Sequence, residues 1–165
     1  MDKFVIEGPS KIRGKVKISG SKNSSLPILA STLLFDQPVV IKNLPRVKDI
    51  ETMISLLQSL GSKIIFSKDK RSVKIINKKK MKTFASYSIV KKMRGSFLVL
   101  GPLISKFHNS KCSLPGGCNL GARPVDYHLQ ALKKLGMTYH LKDGYILAKS
   151  KGRLKGARIN FPKIS

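Results

Sequence analysis

The chain has 165 residues, of which 33 are Lys or Arg and 8 are Asp or Glu, so its formal net charge is +25. A hydrophobic fraction of 41% with 13 Gly and 8 Pro is typical of a globular domain and excludes a disordered, collagenous or coiled-coil chain. The longest apolar stretch, residues 97–104, is interrupted by Gly101 and Pro102 and is far shorter than the roughly 20 residues of a membrane span.

The N-terminal residues include the acidic side chains Asp2 and Glu7, whereas a secretory signal peptide opens with basic residues and a long apolar segment. Two cysteines, Cys112 and Cys118, are too few for a disulfide scaffold in a chain of this length, and their spacing is not that of a zinc site. These features predict a cytoplasmic protein without a metal centre.

The excess of positive charge predicts an anionic partner, such as nucleic acid, an acidic membrane surface or small phosphate-bearing substrates. Most basic residues are Lys rather than Arg, and the one dense run, residues 78–80 with Lys82, follows a predicted strand as a solvated linker would. Aromatic residues make up 7% of the chain and Trp is absent, which disfavours stacking on single-stranded nucleic acid. A basic nucleic-acid-binding α/β domain remains the alternative to a domain that binds small anions.

The first predicted unit begins with a helix whose apolar residues recur at helical spacing behind Ser24 and Ser25 as candidate caps. A second helix is predicted to begin at the cap Asp49 and to end at Gly61 in a left-handed conformation. Three strands complete this unit, at residues 38–41, 63–66 and 72–76.

The second predicted unit repeats this order. Its first helix carries Ile89, Met93 and Phe97 on one face, and its second helix begins at Pro124 and is stopped by Gly136. Its three strands are predicted at residues 111–114, 137–141 and 145–148.

The repeat is clearest where residues 57–61 and 132–136 match, and each unit is βαβαββ-like with its first strand missing or shared. Residues 157–161 predict the start of a third unit, so the expected fold is α/β, with two units and part of a third. We therefore expect a sequence that is cut short at Ser165. The alternative is a closing strand of a complete small α/β domain.

Residues 114–126 are the most informative segment, because three glycines and a proline surround Cys118 in a predicted tight loop that presents a thiol. Pro124 suits the first position of a helix and Arg123 lies just before it, so the guanidinium and the free helix amides are expected to converge on one anion. The alternative is an ordinary turn with a structural cysteine and a surface arginine.

Two further clusters favour an anion site. Lys22 and Asn23, within residues 19–27, stand at the entrance to the first helix, where they suit a phosphate or a carboxylate. Arg94, predicted on the helix face around Met93, is the equivalent basic group of the second unit, with an ordinary exposed helix arginine as the alternative.

Four segments, residues 1–4, 19–27, 114–126 and 152–157, resemble those of the UDP-N-acetylglucosamine 1-carboxyvinyltransferases, the enolpyruvyl transferases of peptidoglycan synthesis in the bacterial cell wall. The resemblance is collinear over the whole chain, and the cysteine loop distinguishes these enzymes from the related enolpyruvylshikimate-phosphate synthases.

The resemblance implies a much longer enzyme of two inside-out α/β domains, each of three βαβαββ units, with the active site between them. Residues 1–20 would then be a strand segment of a mostly absent second domain. Residues 21–165 would form an incomplete first domain.

The resemblance also implies the reaction: the enolpyruvyl group of phosphoenolpyruvate moves to the 3′-hydroxyl of UDP-N-acetylglucosamine, and phosphate leaves through a tetrahedral intermediate, with no cofactor and no metal. Cys118 matches the cysteine that donates a proton, forms a covalent adduct with phosphoenolpyruvate and is alkylated by fosfomycin. A thiol suits this role because nearby cations can tune its pKa. Lys22 and Asn23 match contacts to phosphoenolpyruvate.

The matched contacts to the UDP-sugar are Arg94, Arg123, Pro124, Val125, Asp126, Tyr127, Lys163 and Ser165. Tyr127 departs from the family, in which this residue is usually aliphatic. Cys112 matches nothing functional, and a packing or surface role is expected for His128 although it follows Arg123 on the same helix.

In the family, the base that acts on the sugar hydroxyl and further arginines for phosphoenolpyruvate come from the second domain. We therefore expect this chain alone to be inactive, with its two small-molecule substrates and the second domain as partners and with neither nucleic acid nor membrane. A structural or regulatory remnant that binds the UDP-sugar without chemistry is a third possibility.

Overall fold

The computed structural model describes residues 3–9, 11–115 and 125–161 of the chain. The first unit runs from α1 to β3. Its elements are α1 (Lys22–Ser31), a 3-10 turn (Thr32–Leu34), β1 (Val39–Ile41), α2 (Lys48–Leu60), β2 (Lys63–Phe66) and β3 (Val73–Ile76).

The second unit runs from β4 to β7. Its elements are β4 (Phe84–Ala85), α3 (Tyr87–Val90), a 3-10 helix (Arg94–Val99), α4 (Leu100–Phe107), β5 (Asn109–Ser113), α5 (Asp126–Lys134), β6 (Met137–Lys142) and β7 (Tyr145–Ser150). The predicted strands of both units are confirmed to within a few residues.

Each unit has its own sheet, and the two sheets share one topology. The first has the strand order β1-β3-β2 and is antiparallel throughout, and the second has the order β4-β5-β7-β6. The antiparallel trio β5-β7-β6 repeats the first sheet, while β4 pairs parallel to β5 through Ala85 and Cys112. The short strand β4 is the first strand of the βαβαββ pattern, so the second unit shows the full pattern.

The helix α1 begins one turn earlier than the sequence suggested. Ser21 is its N-cap, because its backbone is extended and its Oγ accepts a hydrogen bond from the Ser24 amide at 3.4 Å. Ser24 and Ser25, predicted as caps, lie inside the helix instead, and the Ser25 hydroxyl donates to the Ser21 carbonyl at 2.7 Å. The earlier start places Lys22 and Asn23 in the first turn.

The helix α2 has Val47 as its N-cap residue, with an extended backbone, so the prediction that Asp49 caps this helix was wrong. Asp49 is already helical and lies in the first turn, where its carboxylate meets a lysine from α1 instead of a helix amide. The predicted end is confirmed, since Gly61 follows the helix with φ 112°.

The first helix of the second unit is interrupted, which contradicts the single helix predicted through Ile89, Met93 and Phe97. Met93 takes an extended conformation (φ −154°, ψ 121°), and the chain resumes as a 3-10 helix at Arg94 before α4 begins. Pro102 falls in the first turn of α4, where its missing amide hydrogen removes no hydrogen bond within that helix. Arg94 therefore lies at a helix break, not on a helix face.

One cluster of buried apolar side chains joins the two units, with Leu29, Leu57 and Ile104 fully buried. Residues 3–9 and 11–20 form neither helix nor strand, and residues 157–161, predicted to begin a third unit, form no strand either. No helix in the described part of the chain is both long enough and apolar enough to span a membrane.

Candidate functional site

A cleft of about 620 Å³ opens where the two units meet. Helices from both units contribute to it: α1, α2, the 3-10 helix with the residues before it, and α5. The lining residues are Lys22, Asn23, Leu26, Asp49, Lys92, Met93, Arg94, Gly95, Phe97, Leu98, Val125 and His128.

Three α-helices direct their N-terminal ends at this cleft. Lys22 and Asn23 are the first residues of α1, Asp49 is in the first turn of α2, and Val125 is the N-cap residue of α5. The first amides of a helix have no partner within it, and the helix dipole gives this end partial positive charge. The backbone alone thus makes the cleft favourable for an anion.

The side chains around the cleft strengthen this preference. Lys22, Lys92 and Arg94 line it, and among the described lining residues Asp49 is the one carboxylate. The Asp49 carboxylate accepts an ion-paired hydrogen bond from Lys22 Nζ at 2.9 Å, and both side chains are partly exposed. The balance of charge in the cleft is positive.

Buried apolar side chains also line the cleft. Leu26, Phe97 and Val125 are buried, and the His128 ring lies 5.9 Å from the ring of Phe97. Burial, and secondarily the charge of Arg94, lowers the pKa of His128 below its ordinary value of about 6.5. His128 is therefore predominantly neutral near pH 7 and adds no cation to the cleft.

Two glycines allow the close packing behind α1. A Cβ on Gly20 would collide with the carbonyl oxygen of Asn43, and a Cβ on Gly95 would lie 3.0 Å from Leu26 Cδ1. Because glycine has no side chain, the backbone can come close to Asn43 and Leu26 at these two positions. This close contact holds the start of α1 beside α2 and the 3-10 helix.

The structure brings together four of the residues predicted from sequence, namely Lys22, Asn23, Arg94 and Val125. Asp126 and Tyr127 follow in the first turn of α5 but are not part of the cleft lining, and the Tyr127 ring contacts Phe161 at 5.8 Å. The remaining predicted site residues lie outside the described residues: Cys118, Arg123, Pro124, Lys163 and Ser165.

The segment that carries Cys118 joins two fixed points of the second unit. On one side the Leu114 amide donates to the Gly144 carbonyl at 3.0 Å, directly after β5. On the other side Val125 is buried at the start of α5 and lines the cleft. Val125, the first described residue after the Cys118 segment, therefore lies in the cleft lining.

The family model for EPSP synthase (3-phosphoshikimate 1-carboxyvinyltransferase) matches residues 6–165. The chain belongs to the EPSP synthase family. The α/β fold of βαβαββ units that the sequence predicts is the fold of this family's solved structures, so the fold class is confirmed.

Within the EPSP synthase family, the chain is most informatively compared with three curated relatives, each called UDP-N-acetylglucosamine 1-carboxyvinyltransferase. The relative from Pelagibacter ubique (strain HTCC1062) is 56% identical, that from Baumannia cicadellinicola is 50% identical and that from Escherichia fergusonii is 46% identical. Each alignment covers 100% of this chain and 39% of the relative. The chain thus spans well under half the length of the relatives it matches.

Two solved structures of EPSP synthase-like enzymes share the fold. The enolpyruvyl transferase NikO from Streptomyces tendae superimposes with a TM-score of 0.73 at 20% identity, over 90% of this chain and 32% of that one. The EPSP synthase of Acinetobacter baumannii superimposes with a TM-score of 0.69 at 19% identity, over 92% of this chain and 35% of that one. At these identities the two structures establish the fold alone.

The sequence analysis missed two residues of the cleft: Lys92 was not singled out, and Asp49 was interpreted only as a helix cap. The packing role expected for His128 is confirmed by its contact with the Phe97 ring, and His128 also lines the cleft. The repeat could have indicated Asp49, because the second helix of each unit starts at the same cleft.

Cys112 behaves as the sequence predicted. It is fully buried in β5 opposite Ile146, and burial raises the pKa of its thiol to about 12. A thiol in this state is not a nucleophile at neutral pH. Among the described residues, no group of three or more His, Cys, Asp or Glu could hold a metal ion.

Proposed function

We propose that this chain supplies one wall of the active site of an enolpyruvyl transferase that uses phosphoenolpyruvate and UDP-N-acetylglucosamine. The observation that carries the proposal is the cleft itself, in which Lys22, Asn23, Arg94 and Val125 meet at three helix N-termini. The identity of 46–56% to the curated carboxyvinyltransferases supports the choice of substrates.

The substrates suit the charge of the cleft. Phosphoenolpyruvate carries a carboxylate and a phosphate, and the UDP-sugar carries a diphosphate, so cationic donors and helix amides favour both. In this proposal Lys22 and Asn23 bind phosphoenolpyruvate, and Arg94 binds the UDP-sugar together with residues 123–127 and the segment of Lys163 and Ser165.

The proposed reaction is an addition followed by an elimination. The 3′-oxygen of the sugar bonds to C2 of phosphoenolpyruvate while the Cys118 thiol gives a proton to C3, and the hydroxyl proton passes to a base in the second domain. The tetrahedral intermediate then loses phosphate from C2 and a proton from C3, which restores the double bond in the enolpyruvyl ether. Lys22 would stabilise the charge on the phosphate as it leaves.

The proposal also assigns residues 1–20 to a second domain and residues 21–165 to an incomplete first domain. Its support is the exposure of apolar side chains before α1: Phe4, Ile6, Ile12, Val16 and Ile18 are 82–98% exposed. Exposed apolar side chains concentrated on one segment are typical of a segment that another part of a protein covers. The proposal keeps the cytoplasmic location expected from the sequence.

The alternative, a nucleic-acid-binding domain, finds little support at the surface. The exposed ring of Phe84 and the ring of Tyr145 share the Lys111 ammonium, at 5.2 and 4.7 Å, and lie 5.6 Å from each other. These rings are tilted against each other and covered by a cation, so they offer no open platform for bases.

Thiol labelling tests the proposal on the complete enzyme, by which we mean this chain joined to the second domain. We expect fosfomycin to label Cys118 covalently, with saturable dependence on the UDP-sugar, and a salt-matched oligonucleotide to have no effect. The Cys118→Asp variant is expected to keep turnover and lose the label. Equal labelling of that variant and the wild type would contradict the assignment, and a salt-dependent gel shift without any effect of the UDP-sugar would favour the nucleic-acid alternative.

A further inference from the structure

The ion pair between Lys22 and Asp49 is the unexpected feature of the cleft. Lys22 Nζ lies 2.9 Å from Asp49 Oδ2, and no other carboxylate belongs to the cleft lining that the structure describes. A carboxylate repels the anions that the rest of the cleft favours. The position of the Asp49 carboxylate in the cleft therefore indicates a role other than binding the anion.

The position of Lys22 indicates what that role is. It is the first residue of α1, where the helix dipole disfavours a cation, and Lys92 and Arg94 line the same cleft. A lysine side chain has four rotatable carbons and is 48% exposed here, so repulsion alone would drive its ammonium into solvent. Something must hold it in the cleft.

The position of Asp49 makes it a suitable anchor. It lies in the first turn of α2, where a carboxylate is stabilised by the helix dipole, and α2 is fixed by the buried side chains of its inner face. An ammonium group has three donor hydrogens, and the carboxylate occupies one of them, which leaves two for a ligand.

We propose that Asp49 is a positioning residue, which holds the Lys22 ammonium in the cleft in the orientation that receives the phosphate or carboxylate of phosphoenolpyruvate. The inference rests on the proposed function, because Lys22 is there the phosphoenolpyruvate ligand. Asp49 acts through Lys22 and makes no contact with the reacting atoms.

Glu51 provides a matched control, because it is the other acidic residue in the first turn of α2. It is exposed and lines a separate groove with Val47, Ile54 and Gln58, away from Lys22. Asp49→Asn and Glu51→Gln remove the same charge and the same interaction with the helix dipole. Only Asp49→Asn removes the anchor of Lys22.

The first measurement needs no substrate. The complete enzyme is treated with a neutral acetylating ester, and the acetylation rate of Lys22 is followed by peptide mass spectrometry with Lys92 as internal reference. We expect Asp49→Asn to raise the Lys22 rate about threefold or more, since a paired ammonium on an ordered side chain is less accessible than a free one. Glu51→Gln is expected to leave the rate unchanged. An unchanged Lys22 rate in Asp49→Asn would overturn the proposal.

The second measurement compares the two substrates. We expect Asp49→Asn to raise the KM for phosphoenolpyruvate about three- to fivefold, the upper range for the loss of a partly exposed ion pair, and to leave the KM for the UDP-sugar within about twofold. Glu51→Gln should change neither constant. A rise in both constants, or in neither, would contradict the positioning role.

The two measurements also separate this proposal from the proposed function. A wild-type enzyme that does not turn over the two substrates would contradict the proposed function, and the acetylation rates would still decide whether Asp49 anchors Lys22. A normal reaction with an unchanged Lys22 acetylation rate would leave the proposed function intact and remove Asp49 from it.

Discussion

The two helices that precede the last hairpin of each unit, α2 and α5, occupy equivalent places but differ in burial. Both begin at the cleft, and both are followed by a glycine with positive φ, 112° at Gly61 and 107° at Gly136. The longer α2 buries six side chains, whereas among the described residues α5 buries only Leu129.

The comparison shows that the features that form the cleft recur in both units, whereas the burial that stabilises α2 does not recur in α5. The sheet order and the helix start recur in both units, and these fix the cleft. Burial does not recur, because α2 packs against α1 and the 3-10 helix, whereas Leu132 of α5 and Leu135 directly after it are only partly buried.

The largest expected effect tests this difference in burial directly. Leu57→Ala removes a fully buried side chain from α2, and we expect it to lower the free energy of unfolding by about 3–5 kcal/mol. Leu132→Ala, at the matching position of α5, should lower it by a smaller amount, about 1–2 kcal/mol, because that side chain is only partly buried. Urea unfolding followed by circular dichroism measures both, and equal losses would refute the contrast between the helices.

A smaller effect concerns the backbone that places the start of α1 beside α2. Gly20→Ala forces a Cβ against the Asn43 carbonyl, so we expect a loss of about 1–3 kcal/mol in the free energy of unfolding. Gly101→Ala is the control in the second unit: nothing lies within 4 Å of the added Cβ, and alanine in a helix should stabilise by up to ~1 kcal/mol. A Gly20→Ala variant more stable than the wild type would show that the close contact between Gly20 and the Asn43 carbonyl does not constrain the fold.

The smallest expected effect is a change in the pKa of His128, the residue that α5 contributes to the cleft where α2 contributes Asp49. Arg94→Met should raise the pKa of His128 toward its ordinary value, measured by NMR titration, but only in part because burial is the larger cause. Arg94→Lys keeps the charge and should leave the pKa low. An unchanged pKa in Arg94→Met would exclude a contribution from Arg94.

The lowered pKa of His128 also determines how the free energy of unfolding depends on pH. Because the pKa of His128 is lower in the folded state, the unfolded chain binds its proton first as the pH falls. The contribution of His128 to stability is therefore complete above the ordinary pKa of about 6.5 and is lost as the pH falls from there through the folded pKa. His128→Gln should reduce this slope in urea unfolding between these pH values, and an identical slope would contradict it.

Much of the fold followed from patterns that act over short distances. The strands β2 and β3 and the glycines after α2 and α5 depend on local backbone preferences, and these predictions were confirmed. The break at Met93 was not foreseen, because the apolar spacing through Ile89, Met93 and Phe97 continues across it.

Site residues could be predicted from sequence where they match residues of a known family. A residue that acts only by positioning another side chain could not be predicted in this way. Lys22 and Asn23 were found by their position at a predicted helix start, Arg94 by its basic side chain on a predicted helix, and all three by resemblance. Asp49 has the sequence pattern of an ordinary acidic first-turn residue, and only the three-dimensional approach of α1 to α2 brings its carboxylate to Lys22. A pairing across 27 positions of sequence leaves no local signal.

Phosphate release tests directly whether this chain supplies one part of an enolpyruvyl transferase active site that is complete only with the second domain. The complete enzyme is supplied with phosphoenolpyruvate, with UDP-N-acetylglucosamine, and with both, beside the 165-residue chain alone and the complete Lys22→Ala variant. We predict release only by the complete enzyme with both substrates present, and a loss of about 10- to 100-fold in Lys22→Ala, as one charge-assisted contact would give. Release by the 165-residue chain alone would contradict the incomplete site, and no release by the complete enzyme with both substrates would contradict the proposed reaction.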